Sequence, residues 1–182
     1  MKKIIIAVLT FLFSLYSYAD FSYNYFQIAH VSLDGNQLTA KGESLNVSIE
    51  LNENLYILAG HESTDYNDVD RKTDLINFGI GAHFPVSGNT DFFGLIKCIK
   101  EDDGLSDRNM KQYGSHLGIR SKITKKIEIM ITAIWAIQKT ESTNATSDMG
   151  WDLSGAFDLT DSLQALVNVD DDSTAFGLRL NF

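Results

Sequence analysis

Cysteine, proline and long apolar runs are what this sequence has least of. It contains one cysteine, Cys98, and one proline, Pro85. A single cysteine excludes an internal disulfide, so backbone pairing and side-chain packing must hold the fold together. After the N-terminal residues, no apolar run approaches the roughly 20 residues that a membrane-spanning helix needs. If the mature chain crosses a membrane, it must therefore do so as β-strands.

The N-terminal residues have the layout of a secretory signal peptide. The charged run Met1–Lys3 precedes the apolar run Ile4–Phe13, and the sequence Ser17–Ala19 ends on a small residue. The apolar run is too short for a spanning helix and is typical of a cleaved export signal. We predict a signal peptide over residues 1–19 and one mature domain over residues 20–182.

The chain is acidic, and this limits its partners. It has 24 Asp and Glu against 15 Lys and Arg, a net charge of −9. Loss of the two lysines in the signal peptide would bring the net charge to −11. Nucleic-acid phosphates require a basic surface, so nucleic acid is not a predicted partner.

The mature chain has short segments of period-2 alternation separated by turn residues, the pattern of β-strands. The links between them alternate between tight and longer up to the ninth strand, which is typical of an up-and-down outer-membrane barrel. We predict an all-β, closed antiparallel transmembrane barrel of ten strands, with eight as the alternative. The predicted strands are Phe21–Val31, Ser44–Leu51, Leu55–Thr64, Asp74–Phe84, Asp91–Lys100, Lys111–Lys122, Ile127–Gln138, Gly150–Asp158, Leu163–Val169 and Thr174–Phe182.

Four of these strands, the second, fourth, seventh and tenth, alternate most clearly. One face of each carries bulky apolar side chains and no charge, while the other is polar, small or mixed. Hydrocarbon offers no water to unpaired backbone groups, so the first strand must pair with the tenth to close the sheet. The residues predicted to face lipid are Leu45, Val47, Ile49, Ile76, Phe78, Ile80, Ile129, Ile131, Phe176, Leu178 and Leu180.

Alternation alone does not decide which face is inside, because a soluble ligand-binding barrel would place the apolar face inward. The Gly, Ser and Ala residues opposite the bulky face suit a crowded lumen better than a ligand cavity. Aromatic residues such as Phe84, Trp135 and Trp151 fall near strand ends, where interfacial girdles lie. The terminal Phe182 resembles the signal that barrel-assembly machinery recognises. These features favour the membrane.

The inward face contains ionisable side chains that a narrow lumen would force to pair. The predicted polar network comprises Glu50, Lys97, Arg120, Glu128 and Arg179. Other inward candidates are His83, His116, Asp152 and Asp158. We interpret this set as a structural network; the alternative is a small gated conduit or a proton-linked site.

No catalytic, cofactor-binding or metal-binding residue is predicted. The histidines at 30, 61, 83 and 116 do not stand at tight ligand spacing, and no HExxH or GxSxG motif is present. The outer loops carry acidic runs that could bind Ca²⁺ or Mg²⁺ but lack EF-hand spacing, so we interpret them as solvated. These runs are Asp65, Asp68 and Asp70, then Glu101–Asp103, then Asp170–Asp172. Basic residues near the same rim could instead contact anionic sugar phosphates: Arg71, Lys72, Arg108 and Lys111.

Several short motifs resemble those of small bacterial outer-membrane barrels of the opacity type and the transmembrane OmpA type. They are Phe21-Ser22-Tyr23-Asn24-Tyr25, Leu58-Ala59-Gly60-His61, Phe78-Gly79-Ile80-Gly81-Ala82-His83, Thr90-Asp91-Phe92 and the terminal Phe182. The resemblance implies a barrel in the outer membrane and carries no catalytic residues.

The function predicted from the sequence is that of a small outer-membrane barrel with a structural, adhesive or surface-interaction role. Its pore activity would be narrow at most, and we expect a monomer that is not an enzyme. The predicted partners are outer-membrane lipid, lipopolysaccharide and the barrel-assembly machinery. Two alternatives stay open: a soluble periplasmic or secreted ligand-binding barrel, and a barrel-embedded enzyme or selective channel.

Overall fold

The computed structural model describes residues 21–34, 39–67, 71–102, 110–139 and 146–182. These residues form one antiparallel sheet in which each strand pairs with its sequence neighbours. The first strand pairs with the tenth from Tyr25 opposite Asn181 to Leu33 opposite Ser173, and this closes the barrel. The predicted closed up-and-down barrel of ten strands is confirmed. The predicted signal peptide lies outside the described residues.

Over the described residues, the ten strands follow one another with no helix between them. They are β1 Tyr25–Asp34, β2 Thr39–Asn52, β3 Leu55–Tyr66, β4 Lys72–Ser87, β5 Thr90–Asp102, β6 Met110–Lys122, β7 Ile127–Lys139, β8 Thr146–Asp158, β9 Leu163–Asp170 and β10 Ser173–Asn181. Both described termini lie at one end of the barrel, which we call the terminal end; the opposite end is the loop end. Within the described ranges, no helix is long and apolar enough to span a bilayer.

Several strands extend further toward the loop end than the sequence predicted. Strand β2 begins at Thr39 instead of Ser44, and β8 begins at Thr146 instead of Gly150. The added residues include outward-facing charges such as Lys41 and Glu43, which break the apolar pattern. Ladder hydrogen bonds need no apolar side chain, so the backbone pairing continues beyond the apolar region.

Strand β1 begins later than predicted. Residues 21–24 are not part of the sheet, although their aromatic alternation resembles that of a strand. Phe21 and Tyr23 are buried instead, at 6% and 4% exposure, within the terminal end of the barrel. The chain turns inward here because these rings pack on side chains from distant strands.

The tight turns at the terminal end are fixed by short polar side chains. Asn52 Oδ1 accepts hydrogen bonds from the backbone N–H groups of Asn54 and Leu55, both at 3.0 Å. Thr124 Oγ1 and Thr160 Oγ1 accept equivalent bonds at the β6–β7 and β8–β9 turns. Such side-chain turns set the register of the strands that follow.

Side chains alternate between outside and lumen along every strand. Each of the ten strands presents at least one large apolar side chain that is exposed on the outside, such as Phe26 on β1 and Val167 on β9. The cluster of buried aromatic residues lies in the lumen at the terminal end and consists of Phe21, Tyr23 and Tyr56. The lumen is therefore where polar chemistry can be concentrated.

Candidate functional site

The N-terminal segment, residues 21–24, closes the terminal end of the lumen and is joined to β2 by three hydrogen bonds. The Glu50 carboxylate accepts bonds from the Tyr23 backbone N–H at 3.2 Å and from the Asn24 side-chain amide at 3.1 Å. Asn24 Oδ1 accepts a bond from the Glu50 backbone N–H at 2.8 Å. This reciprocal pairing holds the segment in the mouth of the barrel. We refer to residues 21–24 as the plug.

A buried ion pair lies directly against the plug. Arg120 donates from Nε to Glu128 Oε1 at 2.7 Å and from Nη2 to Oε2 at 3.0 Å, a bidentate arrangement. Its remaining nitrogen, Nη1, donates to the carbonyl of Ser22 at 3.0 Å. The guanidinium also lies over the rings of Phe21 and Tyr23, at 4.8 and 5.0 Å from their centroids. Arg120 therefore connects the wall of the barrel to the plug through charge, hydrogen bonding and ring contact.

A second arginine completes this cluster from β10. Arg179 Nη1 lies 3.6 Å from Glu128 Oε1, and Arg179 Nε donates to Gln27 Oε1 at 3.3 Å. Its guanidinium also lies over the ring of Tyr25, 4.6 Å from the centroid. One carboxylate thus serves two arginines in a region closed to solvent, as desolvated charges require.

Beside this cluster, a histidine and an aspartate form another buried pair. His83 Nδ1 lies 3.2 Å from Asp91 Oδ2, and the Tyr23 hydroxyl donates to the same oxygen at 3.5 Å. The Tyr23 ring stacks on the His83 ring at 4.0 Å and lies 4.8 Å from the Tyr56 ring. Burial raises the pKa of Tyr23, which keeps its phenol a neutral donor to Asp91.

Tyr56 reaches this stack because glycine stands opposite it. Gly81 is its direct partner in the β3–β4 pairing. A Cβ at position 81 would lie 2.2 Å from a ring carbon of Tyr56, far inside van der Waals contact. The absence of a side chain at Gly81 is what lets the Tyr56 ring lie flat on β4.

The structure brings three of the five predicted network residues into one cluster, namely Arg120, Glu128 and Arg179. Glu50 lies at the same end, where it contacts the plug and His83, with 3.9 Å between the nearest Glu50 and His83 atoms. Lys97 lies apart from all four. Within the described ranges its ammonium group makes no hydrogen bond or direct ion pair.

Two cavities in the lumen are lined by residues that the structure describes. The larger, of about 270 Å³, is lined by Glu62, Lys97 and Asp170 among others. The smaller, of about 190 Å³, lies above Tyr23 and is lined by Lys97, His116 and Asp152. Both share Lys97 and Arg179 in their walls. The predicted inward residues His116 and Asp152 thus face open space, and Asp158 lies near the terminal turns, where its carboxylate accepts a bond from Gln164 at 2.7 Å.

Three residues at the terminal end were missed by the sequence analysis: Tyr23, Tyr56 and Asp91. Asp91 could have been found, because Phe92 faces outward and strand alternation therefore places Asp91 inward. The same rule places Tyr56 inward, because its neighbours Leu55 and Ile57 face outward. Tyr23 precedes the first strand, and no local pattern predicts its inward turn.

The outward side chains lie where strand alternation predicted. Nine of the eleven residues predicted to face lipid are outward and exposed, from 39% at Leu45 to 61% at Phe176. The other two, Val47 and Ile129, are outward and half-buried. Phe182 follows β10 with its ring 67% exposed, and its backbone N–H donates to the Asn24 carbonyl at 3.1 Å. Its predicted role as an assembly signal stays a prediction.

Cys98 is also outward and exposed on β5. Over the described ranges, no three His, Cys, Asp or Glu side chains are grouped so as to hold a metal ion. Of the loop residues weighed as metal or phosphate ligands, Asp68, Asp70, Asp103 and Arg108 lie outside the described residues.

No protein-family model matches the chain, and no curated protein sequence matches it significantly. Solved structures do match. A bacterial polysaccharide outer membrane secretin has a TM-score of 0.53 at 11% identity, over 90% of this chain and 67% of the secretin chain. At this identity the likeness shows the fold alone.

Two further structures are similar with lower scores. A loop-deletion mutant of OmpT, an outer membrane protein of Vibrio cholerae, has a TM-score of 0.43 at 10% identity over 85% of this chain. This chain spans only 62% of that barrel's length. Neisserial surface protein A has a TM-score of 0.44 at 14% identity, over 87% of this chain and 95% of that chain.

Proposed function

We propose that this protein is a small bacterial outer-membrane barrel with a structural or surface-interaction role and a lumen closed by its own N-terminal segment. The observation that carries the proposal is the belt of exposed apolar side chains contributed by all ten strands. A continuous apolar surface of this extent is unfavourable in water and suits hydrocarbon. The closed backbone ladder leaves no strand edge unpaired, as the bilayer interior requires.

The strands have the length that a crossing needs. They contain between 8 and 16 residues, against about 9–11 for a tilted strand that spans the bilayer. The β2–β3, β4–β5, β6–β7 and β8–β9 turns and both described termini lie at one end, which in outer-membrane barrels is the periplasmic end. We therefore propose that the plug faces the periplasm and that the loop end faces the exterior.

The arrangement of the lumen favours a non-conducting barrel over an open channel. The plug and the Arg120–Glu128–Arg179 cluster fill the terminal end, and Arg120 and Glu128 are each only 4% exposed. The two cavities lie on the loop side of Tyr23. A narrow ten-stranded lumen filled by side chains should conduct poorly.

The two alternatives from the sequence are less well supported. A soluble ligand-binding barrel would turn its apolar face inward, whereas here that face points outward. We also propose that the protein is not an enzyme. The His83–Asp91 pair lies beneath the Tyr23 ring, and His83 is only 8% exposed. A substrate could reach this pair only by displacing the plug. The predicted kinship with opacity-type and OmpA-type barrels, export by a signal peptide and a monomeric state remain parts of this proposal.

The test compares one charge placed on either face of β10. Leu178→Arg puts a cation on the apolar belt, whereas Ala175→Arg points into the larger cavity. After refolding into phosphatidylcholine vesicles, we expect Leu178→Arg to lose about 2–4 kcal/mol of unfolding free energy in urea and Ala175→Arg to lose less. The reverse ranking, or a wild-type protein that stays dissolved and monomeric without detergent, would overturn the membrane proposal.

A planar-bilayer recording tests the closed lumen separately. The wild-type barrel should insert without stable stepwise conductance. Long-lived openings of porin type would contradict a plugged lumen, although the membrane location would stand.

A further inference from the structure

Charged residues on the outside of the barrel, near the loop end, are balanced along β1 to β4. His61 lies 3.5 Å from Asp74, and Lys72 lies 3.9 Å from the same carboxylate. Glu43 stands directly opposite His30 in the β1–β2 register. The outward lysines on this side of the rim also have acidic neighbours, Asp74 for Lys72 and Asp65 for Lys41, as cross-strand pairing favours.

From β5 to β7 the same rim carries an excess of lysine, although Asp102 lies beside Lys100 on the outward face of β5. Lys100 stands directly opposite Lys111 in the β5–β6 register, and Lys111 in turn stands directly opposite Lys139 in the β6–β7 register. Lys100 and Lys111 are both exposed, and the ammonium group of neither forms a hydrogen bond or ion pair with any residue that the structure describes. Like charges placed opposite each other destabilise a sheet, so an anion bound between them would relieve a repulsion.

The position of this lysine pair relates it to lipid. One step toward the terminal end on the same outward face, Cys98 stands opposite Tyr113, and Tyr113 opposite Ile137. Tyr113 is 47% exposed, and a tyrosine at the edge of an apolar belt is typical of the membrane interface. The two ammonium groups therefore lie at the boundary where lipid headgroups meet the barrel.

We propose that Lys100 and Lys111 form a binding site for the phosphate groups of the phosphorylated lipid that surrounds the loop end. Directly opposed residues lie about 5 Å apart at Cβ, so both ammonium groups can contact one phosphate or two neighbouring ones. A lipid fits better than free phosphate because its acyl chains lie on the apolar belt next to the lysines. This inference rests on the proposed membrane location, with the loop end in the leaflet that holds the phosphorylated lipid.

The experiment measures binding of a bisphosphorylated acyl-disaccharide to the folded barrel in neutral detergent, by native mass spectrometry. Three probes are compared: the bisphosphorylated lipid, the same lipid without phosphates, and inorganic phosphate as a competitor. The test variant is Lys100→Gln with Lys111→Gln. The matched control, Lys41→Gln with Lys72→Gln, removes the same charge from the balanced side of the rim, where Lys41 stands opposite Asp65.

We expect the test variant to bind the bisphosphorylated lipid about tenfold more weakly and the control variant to bind it like the wild type. The dephosphorylated lipid should bind all three proteins equally. Equal loss in the control variant, or equal binding of both lipids by the wild type, would overturn the proposal. Full displacement of the lipid by millimolar inorganic phosphate would assign the site to free phosphate instead.

Failure of this inference is distinguishable from failure of the proposed function. A barrel that refolds into vesicles but binds both lipids equally lacks the lysine site and keeps its membrane location. A protein that does not enter vesicles contradicts both. Heat-modifiable migration in gels, measured for each variant, verifies that the compared proteins are folded.

Discussion

The two halves of the lumen differ in how their charges are compensated. At the terminal end, the charged side chains of Arg120, Glu128 and Arg179 contact each other at 2.7 to 3.6 Å. Toward the loop end, the side chains of Lys97, Glu62 and His116 line cavities, and within the described ranges none of these side chains forms a hydrogen bond or direct ion pair.

The difference follows from the presence or absence of water. The plug excludes solvent at the terminal end, and a buried charge without a partner is strongly destabilising there. The cavities have room for water molecules, which can solvate the charges that face them. The sequence thus places ionisable groups along the whole lumen. Direct ion pairs form near the plug, whereas the Asp152 carboxylate toward the loop end accepts hydrogen bonds from the neutral side chains of Asn168 and Ser154. Substitutions in the two halves should therefore differ in cost.

The largest effect is expected at Arg120. Arg120→Ala leaves Glu128 buried with only Arg179 as a partner and removes the bond to the plug at Ser22. We expect a loss of about 3–5 kcal/mol in urea unfolding of the vesicle-embedded barrel, followed by tryptophan fluorescence. Trp135 and Trp151 are suitable reporters because both are exposed on the outside.

The triple variant Arg120→Met with Glu128→Leu and Arg179→Met serves as the control for this prediction, because Glu128 is also the ionic partner of Arg179. Replacing the whole buried cluster by apolar residues removes the desolvation cost together with the attraction, so most of the stability should return. If the triple variant were as unstable as Arg120→Ala, the cost would come from the lost plug contact and not from an unpaired charge.

The next largest effect is expected at Tyr23, which joins the plug to the wall. Tyr23→Ala removes a ring that is 4% exposed and should cost about 3 kcal/mol, whereas Tyr23→Phe loses only the bond to Asp91 and should cost about 1 kcal/mol. Urea unfolding of both variants separates ring packing from the hydroxyl. Equal losses would show that the hydroxyl, and not the stacked ring, holds the plug.

A smaller effect distinguishes two inward glycines. Gly81→Ala forces a methyl group against Tyr56 and should cost about 1–3 kcal/mol. Gly114 faces the loop half of the lumen, where an added Cβ would lie 3.5 Å from the His116 ring, an ordinary contact. Gly114→Ala should therefore be tolerated, and a comparable loss in both variants would contradict the contrast in packing between the halves.

Strand alternation predicted much of this architecture. It predicted ten strands and the orientation of residues such as Phe78 and Leu178, because a period of two is a local property of the chain. It failed at Phe21 and Tyr23, whose spacing is that of a strand although they fold into the lumen. Their inward turn depends on Arg120, about 100 residues further along the chain, and no local pattern encodes that contact.

For a related reason, the sequence did not predict which charged side chains of the lumen pair with each other. Alternation places both Lys97 and Arg120 inward, but it does not give their depth relative to the plug. Register also matters: Glu128 stands directly opposite Lys122, and the carboxylate instead meets Arg120 on the diagonal. Only the closed barrel determines which inward charges are desolvated.

The smallest effect is expected at Lys97, and its measurement is the sharpest test of the difference between the two halves of the lumen. Lys97→Met replaces a cavity-lining ammonium group by a side chain of similar length and leaves no buried carboxylate without its direct partner. We expect the unfolding free energy to change by less than about 1 kcal/mol in the same urea assay. Arg120 and Lys97 both carry one positive charge on the inward face. A loss of unfolding free energy at Lys97 as large as that at Arg120 would therefore mean that water is excluded from the loop half as it is from the terminal half. In that case Glu62 and Asp152 would have to be direct partners of Lys97, and the lumen would be one continuous network.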